Sequence, residues 1–198
     1  MRRVVVDQWM SLDGVVQAPG TPDEDMSGGF RHGGWHLPYF DEASQSWVVN
    51  YLNEAGGFLL GRYTYETLAA YWPNASEQEQ ALARPLNSKP KYVVSATLDE
   101  PLAWENSSLV TGDVAPAVTE LKRGIGGDLH VLGSPKLVGA LMEHDLVDEF
   151  RLMIDPVVLG GGKRLFIDDG ALRSLQLVEG QVTTTGAFLG TYEVVSRS

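Results

Sequence analysis

The segment 58–66 combines an apolar strand pattern with a turn whose residue types suit phosphate binding. Gly61 lets the backbone pass close to an anion, and Arg62 adds a forked cation. The free N–H groups at the start of the following helix point outward at the favourable end of the helix dipole. The same pattern is typical of an ordinary helix start, with Thr64 as its cap and Arg62 as a surface charge. The motif therefore indicates a phosphate site or a simple cap.

A second strand-to-helix turn of this kind lies at 133–137, and Ser95 ends another predicted strand. Ligands of open α/β sheets collect at the carboxyl ends of parallel strands, so these positions converge on one edge. Two separated phosphates fit this pattern, as in a dinucleotide with an extra 2′-phosphate. The alternatives are a strand terminator for Ser95, a first-turn proline at Pro135 and a surface lysine at Lys136. The candidate cofactor-binding residues are Gly61, Arg62, Thr64, Ser95, Gly133, Ser134, Lys136 and Leu137.

The elements that must position these turns alternate between apolar β-branched runs and helical patterns. Strands are predicted at 3–9, 57–60, 91–95 and 129–132, and helices at 41–55, 64–71, 114–123 and 135–144. Strands then dominate, at 149–154, 175–183 and 188–195. The order predicts one α/β domain over residues 1–198, a three-layer sandwich whose mixed, mostly parallel sheet ends in antiparallel strands. The Gly- and Pro-rich stretch 19–34 is the longest loop-like region and a candidate lid.

Composition excludes several functional classes. The net charge of -11 opposes binding to nucleic acid or anionic lipid. The absence of cysteine excludes disulfides, thiolate metal sites and cysteine nucleophiles, and we expect no metal site. The apolar run near the N-terminus is too short for a signal peptide, and no run approaches the roughly 20 apolar residues of a membrane span. We therefore expect a soluble cytoplasmic protein.

Five blocks, in order, resemble the dihydrofolate reductase-like superfamily, and within it the RibD C-terminal domain family of riboflavin-biosynthesis reductases. They cover nearly the whole chain. The blocks are Met10-Ser11-Leu12-Asp13-Gly14, Leu60-Gly61-Arg62-Tyr63-Thr64-Tyr65-Glu66, Lys91-Tyr92-Val93-Val94-Ser95, Val131-Leu132-Gly133-Ser134-Pro135-Lys136-Leu137, and a segment from Leu146-Val147-Asp148-Glu149 to Pro156-Val157-Val158-Leu159-Gly160-Gly161-Gly162.

The resemblance implies NADPH as cofactor. By this resemblance, Arg62, Thr64 and Ser95 of this chain would face the 2′-phosphate, and the turn at Gly133 and Ser134 would contact the diphosphate. It also implies a homodimer, and the apolar C-terminal strands, such as 187–189, offer an edge to be covered. The glycines at 160–162 are interpreted as a tight turn, with a cofactor contact as the alternative.

The proton donor for a reductase is less well marked. Folate-reducing relatives carry a carboxylate shortly after a Trp-x-Leu-Pro signature, which resembles the segment 35–38 here, but Asp41 lies one residue beyond the usual position. Asp41 is therefore a candidate acid or a helix cap. Trp35, His36 and Tyr39 are candidate lining residues of a substrate pocket or packing residues, and Asp13 is interpreted as a turn residue beside the nicotinamide.

The resemblance leaves the substrate open. Lys89 stands where folate reductases place an arginine that clamps the folate glutamate, and lysine cannot make that bidentate bond. The Asp-Asp-Pro loop of riboflavin reductases is missing as well. The chain is thus expected to be an NADPH-dependent reductase of a heterocycle, nearest to 5-amino-6-(5-phosphoribosylamino)uracil reductase. The alternatives are a dihydrofolate or pterin reductase, and a catalytically silent NADP-binding or dimeric scaffold protein.

Overall fold

A computed structural model describes residues 1–195 of the chain. The strands are β1 (Val4–Ser11), β2 (Gly57–Gly61), β3 (Lys91–Val94), β4 (Ser107–Val110), β5 (Leu129–Val131), β6 (Glu149–Asp155), β7 (Leu175–Val182) and β8 (Phe188–Val194). The helices are α1 (Glu42–Glu54), α2 (Arg62–Tyr71), α3 (Gln80–Ser88), α4 (Val114–Arg123) and α5 (Pro135–Glu143).

The strands form a mixed sheet in the order β4-β3-β2-β5-β1-β6-β8-β7. The pairs β3–β4, β2–β3, β2–β5 and β1–β5 are parallel, whereas β8 runs antiparallel to both β6 and β7. The predicted fold class, α/β with a mostly parallel sheet and antiparallel C-terminal strands, is confirmed. Contacts within the fold group its residues into two compact units: unit 1 holds Met1–Val6 and Ser46–Asp148, and unit 2 holds Asp7–Gln45 and the chain from Glu149 onward.

The sequence patterns missed two elements of unit 1. Helix α3 contains Pro85, which removes a backbone donor and makes the segment look like a loop. Strand β4 has only four residues, two of them serine, so it lacks an apolar run. It is recognised by its parallel pairing with β3, from Lys91↔Ser107 to Val94↔Val110.

The centre of unit 1 explains why its strands read as continuous apolar runs. All residues of β2 and β5 are buried, as expected for parallel strands covered on both faces. Register pairs Leu59 with Val131 on one side of β2 and Gly61 with Val94 on the other. The carboxyl ends of β2, β3 and β5 therefore lie at one edge of the sheet.

Unit 2 is built around a small apolar cluster. Val15, Ala18, Phe30 and Trp35 are its buried members, with Trp9, Val157 and Leu159 packed against them. The segment 19–34 contributes to this cluster and contains only one short 3-10 turn, Ser27–Gly29, which agrees with its prediction as a long loop.

The edge strand of the sheet differs from the prediction. The segment 187–189 was expected to offer the open edge, but β8 lies between β6 and β7. The edge is β7, in which every residue after Leu175 is exposed. The turn between β7 and β8 places β7 beside β8, at the end of the strand order, so the other side of β7 is unpaired.

Candidate functional site

The two glycine turns predicted to bind phosphate lie against each other in unit 1. The Gly61 N–H donates to the Gly133 carbonyl over 3.1 Å. A Cβ on Gly61 would lie 2.5 Å from Ser134 Oγ, and one on Gly133 would lie 2.8 Å from Thr64 Oγ1. Gly133 also has φ +122, a conformation that favours glycine. Glycine is therefore needed at both turns for the backbones to approach this closely.

Each turn leads into a helix, α2 with 10 residues and α5 with 9 residues. Gly61 is the N-cap of α2 and Ser134 is the N-cap of α5, and neither helix start has a hydrogen bond from a capping side chain. Thr64 therefore does not cap α2. Since the first N–H groups of a helix have no partner within the helix, two donor sets remain available for an anion. Because β2 and β5 are parallel neighbours, both sets lie at the same sheet edge.

The other predicted cofactor residues are distributed around these turns. Ser95 follows Val94, which pairs with Gly61, and its Oγ accepts from the N–H groups of Thr97 and Leu98 at 3.1 Å. Arg62 and Lys136 are exposed. Leu137 is buried, so its side chain packs inside the unit. Ser95 thus shapes its own turn, and its hydroxyl also lies 3.5 Å from Thr97 Oγ1.

The carboxyl ends of β2, β3 and β5, where the two glycine turns lie, can accommodate the phosphates of a dinucleotide. At Gly61 and Gly133 the neighbouring atoms are too close to leave room for a side chain. Two helix starts without a capping side chain supply N–H groups there. Arg62 adds a cation whose only contact among residues 1–195 is a 3.5 Å ion pair with Glu66 on the surface of α2. Exposed pairs of this kind contribute about 0.3–0.5 kcal/mol, so Glu66 competes weakly with a phosphate for the guanidinium.

Lys89 performs a structural task. Its Nζ donates to the carbonyl oxygens of Leu52, Asn53 and Ala55 at 2.7, 2.5 and 2.6 Å. These carbonyls lie at the end of α1, where backbone acceptors lack partners and a cation is favourable. Lys89 thus caps α1, and burial lowers its pKa from the ordinary lysine value.

In unit 2, Asp13 joins two turns. Its Oδ1 accepts from Ser11 Oγ at 2.7 Å and from the Leu159 N–H at 3.1 Å, while Oδ2 accepts from the Gly160 N–H at 2.9 Å. These bonds, led by that from Ser11, lower the pKa of Asp13 to about 2. Asp13 is therefore an ionised turn residue that holds the glycine turn at 160–162, as its sequence context indicated.

A cleft of about 600 Å³ opens beside that glycine turn in unit 2. One wall is the loop 27–32 and the other is the segment 159–163, with Gln17 between them. Gln17 holds the walls together, because its amide accepts from the Lys163 N–H and donates to the carbonyls of Asp25 and Ser27. The loop predicted as a lid thus forms one side of a groove large enough for a small heterocycle.

Trp35 and Tyr39 have different surroundings from each other. Trp35 is 7% exposed, belongs to the apolar cluster, and donates from Nε1 to the Gln17 carbonyl at 2.8 Å. Its position matches the packing interpretation. Tyr39 is half-buried, and its backbone carbonyl accepts from Thr185 Oγ1 at 2.7 Å. Neither side chain lines the cleft at 27–32. Their roles in substrate binding stay predictions.

His36 is paired with a residue that the sequence patterns missed. Its Nδ1 lies 2.8 Å from Asp155 Oδ2, and the two side chains are 2% and 0% exposed. Burial raises the pKa of Asp155, and the hydrogen bond to His36 partly opposes this effect. A carboxylate that ends an apolar strand just before Pro156 was the available signal, because such an acid needs a buried partner.

Asp41 has all its neighbours in unit 2 and acts as a cap. Its Oδ1 accepts from the Ser44 N–H and hydroxyl at 3.0 and 2.8 Å, and Oδ2 accepts from the Thr184 N–H and hydroxyl at 3.1 and 2.6 Å. The bonds from Thr184 and Ser44 hold the pKa of Asp41 well below its usual range. A carboxyl group held in its ionised form has no proton to donate near neutral pH, so these contacts favour the cap. The acid role stays a prediction.

Substitution of Asp41 by Asn separates these roles. Asparagine caps a helix about as well as aspartate, but its amide nitrogen cannot accept from Thr184. We expect a lower melting temperature and turnover within a few-fold of wild type. Because the pKa is lowered by folding, this stabilisation is present above about pH 4 and is lost as the pH falls below it. The melting temperatures of Asp41→Asn and wild type should therefore converge in acid. A turnover loss of about 10²–10⁴-fold with unchanged cofactor affinity would instead establish Asp41 as the acid.

Comparison with known proteins identifies the family of this chain. A family model described as the RibD C-terminal domain matches residues 2–189. The chain belongs to the RibD C-terminal domain family. Among its relatives, the uncharacterised protein YyaP of Bacillus subtilis (strain 168) is 30% identical over 194 residues, covering 93% of this chain and 91% of YyaP.

Solved structures share the fold of this RibD C-terminal domain. A pyrimidine reductase-like protein from Corynebacterium diphtheriae superposes with a TM-score of 0.70 at 13% identity, covering 99% of this chain and 93% of that one. Dihydrofolate reductase from Enterococcus faecalis, complexed with NADP(H) and RAB-propyl, gives 0.62 at 13% identity over 98% and 97% of the two chains. The expected family and fold are confirmed.

The length and polarity of the helices determine whether this RibD C-terminal domain could cross a membrane as helices. Within residues 1–195, each helix is too short or too polar to traverse a lipid bilayer.

Proposed function

We propose that this protein is an NADPH-dependent reductase of a planar heterocycle of the pterin or aminopyrimidine class, nearest in activity to 5-amino-6-(5-phosphoribosylamino)uracil reductase. The observation that carries the proposal is the close approach of the turns at Gly61 and Gly133, which lead into two helix starts without a capping side chain. This arrangement suits two phosphate groups on one ligand, and family membership supports a dinucleotide as that ligand.

Specific residues would divide the work of holding the cofactor. N–H groups after Gly61 and Ser134 would bind phosphate oxygens, and the Arg62 guanidinium would select the 2′-phosphate. The hydroxyl groups of Thr64 and Ser95 would add neutral donors, and Lys136 would add a second cation near the start of α5. When bound, NADPH would supply a hydride to a C=N or C=O carbon of the substrate, and a proton would have to reach the adjacent heteroatom.

Substrate selection favours a small heterocycle over folate. Lys89, which stands in place of the arginine that would clamp the folate glutamate, uses its ammonium group on three carbonyls of α1. The glutamate tail of a folate would therefore have no arginine partner at this position. The unit 2 cleft of about 600 Å³ suits a ring system without a long extension. Dihydrofolate is accordingly the weaker of the enzymatic alternatives.

A catalytically silent NADP-binding protein is the rival from another class, and the ionised, fully hydrogen-bonded Asp41 favours it. Calorimetry with NADPH tests the cofactor assignment that both functions share. Oxidation of NADPH in the presence of dihydrofolate, dihydropterins and the ribosylaminopyrimidine then separates them. We expect binding, and turnover with a small heterocycle. Binding without oxidation of any of these compounds would favour the silent protein, and no binding would contradict both.

We also propose that the protein is a homodimer that covers β7. This edge strand has Leu177, Val178 and Val182 exposed at 50%, 57% and 66%, and one side of its ladder is unpaired. Such an edge promotes association unless it is covered. Val178→Lys should convert a dimer to a monomer in light scattering at micromolar concentration. Leu172→Lys is the control, since Leu172 is 77% exposed but lies outside the strands. A monomeric wild-type protein would overturn the proposal.

A further inference from the structure

The buried pair of His36 and Asp155 in unit 2 has no part in the cofactor binding proposed above. His36 Nδ1 and Asp155 Oδ2 are 2.8 Å apart, and neither side chain is more than 2% exposed. Asp155 is the last residue of β6, and His36 immediately precedes the short 3-10 turn Leu37–Tyr39. Pairing to a carboxylate fixes the orientation of an imidazole ring.

Each residue of the pair also has one buried polar atom that forms no hydrogen bond with the described protein. Among residues 1–195, His36 Nε2 and Asp155 Oδ1 are buried with no hydrogen-bond partner, and Trp9 Nε1 shares this property. Buried polar atoms are nearly always paired in folded proteins, so unpaired ones call for an explanation such as a catalytic role. The three atoms belong to connected side chains, because Trp9 stacks on His36 and His36 pairs with Asp155, and each atom can still form a hydrogen bond.

The His36 ring is bounded mainly by aromatic side chains. Trp9 stacks on it with centroids 4.2 Å apart and an interplanar angle of 12°, and Phe40 contacts it edge-on at 5.3 Å. Both Trp9 and Phe40 are half-buried, so the imidazole lies one side chain below the surface. His36 interacts electrostatically with Asp155 and Glu24, and burial raises the pKa of Glu24.

Low polarity around the pair determines where its protons lie. A pair holding two protons is neutral, whether it is carboxylate with imidazolium or carboxylic acid with imidazole. In both forms Nε2 carries a hydrogen. Burial disfavours forms with net charge, and the raised pKa of Asp155 agrees with this preference. The pair therefore retains a proton on Nε2 that it can give to an acceptor.

We propose that His36 Nε2 donates the proton that accompanies hydride transfer, and that Asp155 is the residue that positions His36 and restores its proton. The inference rests on the proposed reductase function. In the step, hydride from NADPH adds to the carbon of a C=N or C=O bond, the π electrons move to the heteroatom, and that atom takes the Nε2 proton. NADPH is oxidised, the substrate is reduced by two electrons, and the His36–Asp155 pair is left with one proton until water replaces the other.

His36→Asn tests the donor while keeping the pair. The asparagine amide nitrogen lies about where Nδ1 lies in histidine, so it can still donate to Asp155, but no group replaces Nε2. We expect kcat to fall about 10²–10⁴-fold while the NADPH dissociation constant stays within twofold of wild type. His144→Asn is the matched control, because His144 is exposed and lies at the end of α5 in unit 1. It should leave kcat unchanged.

Asp155→Asn is a second variant that keeps side-chain shape and removes the charge. Without the carboxylate, the proton-donating form of the pair carries a net positive charge, and burial disfavours that form. The high-pH limb of the kcat profile should therefore move to lower pH, with reduced kcat. A purely structural pair would lower the melting temperature of both variants without moving this limb.

The outcomes separate the donor role from the reductase function. Oxidation of NADPH by wild type with a heterocycle, together with unchanged kcat in a folded His36→Asn, would overturn only the donor role. An unmoved pH limb in Asp155→Asn would overturn the role of Asp155. Failure of wild type to oxidise NADPH with any heterocycle of the panel would overturn the proposed function and, with it, the donor.

Discussion

Arg62→Ala is expected to reduce the preference for NADPH over NADH by about ten- to a hundredfold. The guanidinium is half exposed at the start of α2, and its 3.5 Å pair with Glu66 is weak. A charge-assisted contact with a dianionic 2′-phosphate contributes roughly 1.5–3 kcal/mol, which exceeds that competing pair and is absent for NADH. Calorimetry of both cofactors with wild type and variant measures the change.

The control for Arg62→Ala is Arg123→Ala. Arg123 is exposed on α4 and lies 3.3 Å from Glu120, so this variant loses the same charge away from the glycine turns. It should keep the cofactor preference. Equal dissociation constants of wild type for NADPH and NADH would contradict the assignment of Arg62.

Gly133→Ala is expected to lower the free energy of unfolding by roughly 2–4 kcal/mol and to weaken NADPH binding. The new Cβ would lie 2.8 Å from Thr64 Oγ1, and φ at this position is +122. Thr64 or the turn itself must shift to accept the side chain, and a shift of the turn separates the two sets of N–H donors. For a chain of this size the melting temperature should fall by about 5–15 °C.

Gly112→Ala is the matched control for the close contact. Gly112 has φ +83, but an added Cβ there meets nothing within 4 Å. It should show only the cost of backbone strain and leave NADPH affinity unchanged. Thr64→Ala in the Gly133→Ala background should recover part of the loss, because it removes the clashing hydroxyl. Equal losses at Gly112 and Gly133 would show that the contact between the turns contributes nothing.

Much of the sheet edge that carries the two glycine turns was predictable because its signals are local. An apolar run followed by glycine and a helical pattern describes the ends of β2 and β5, and these boundaries were predicted to within a few residues. The strand terminator role of Ser95 also follows from a local turn. The unpredicted α3 and β4 are segments whose local signals are weak, namely an internal Pro85 and two serines in a four-residue strand.

The sequence by itself determined the alternation of strands and helices, the glycine turns and the absence of cysteine chemistry, since these depend on residues close in the chain. Tertiary structure decided the partners. Asp41 meets Thr184 across 143 positions, and His36 meets Asp155 across 119. Strand order likewise placed β8 inside the sheet and left β7 as its edge. Such pairings depend on which strands become neighbours and in what register, and no local pattern encodes them.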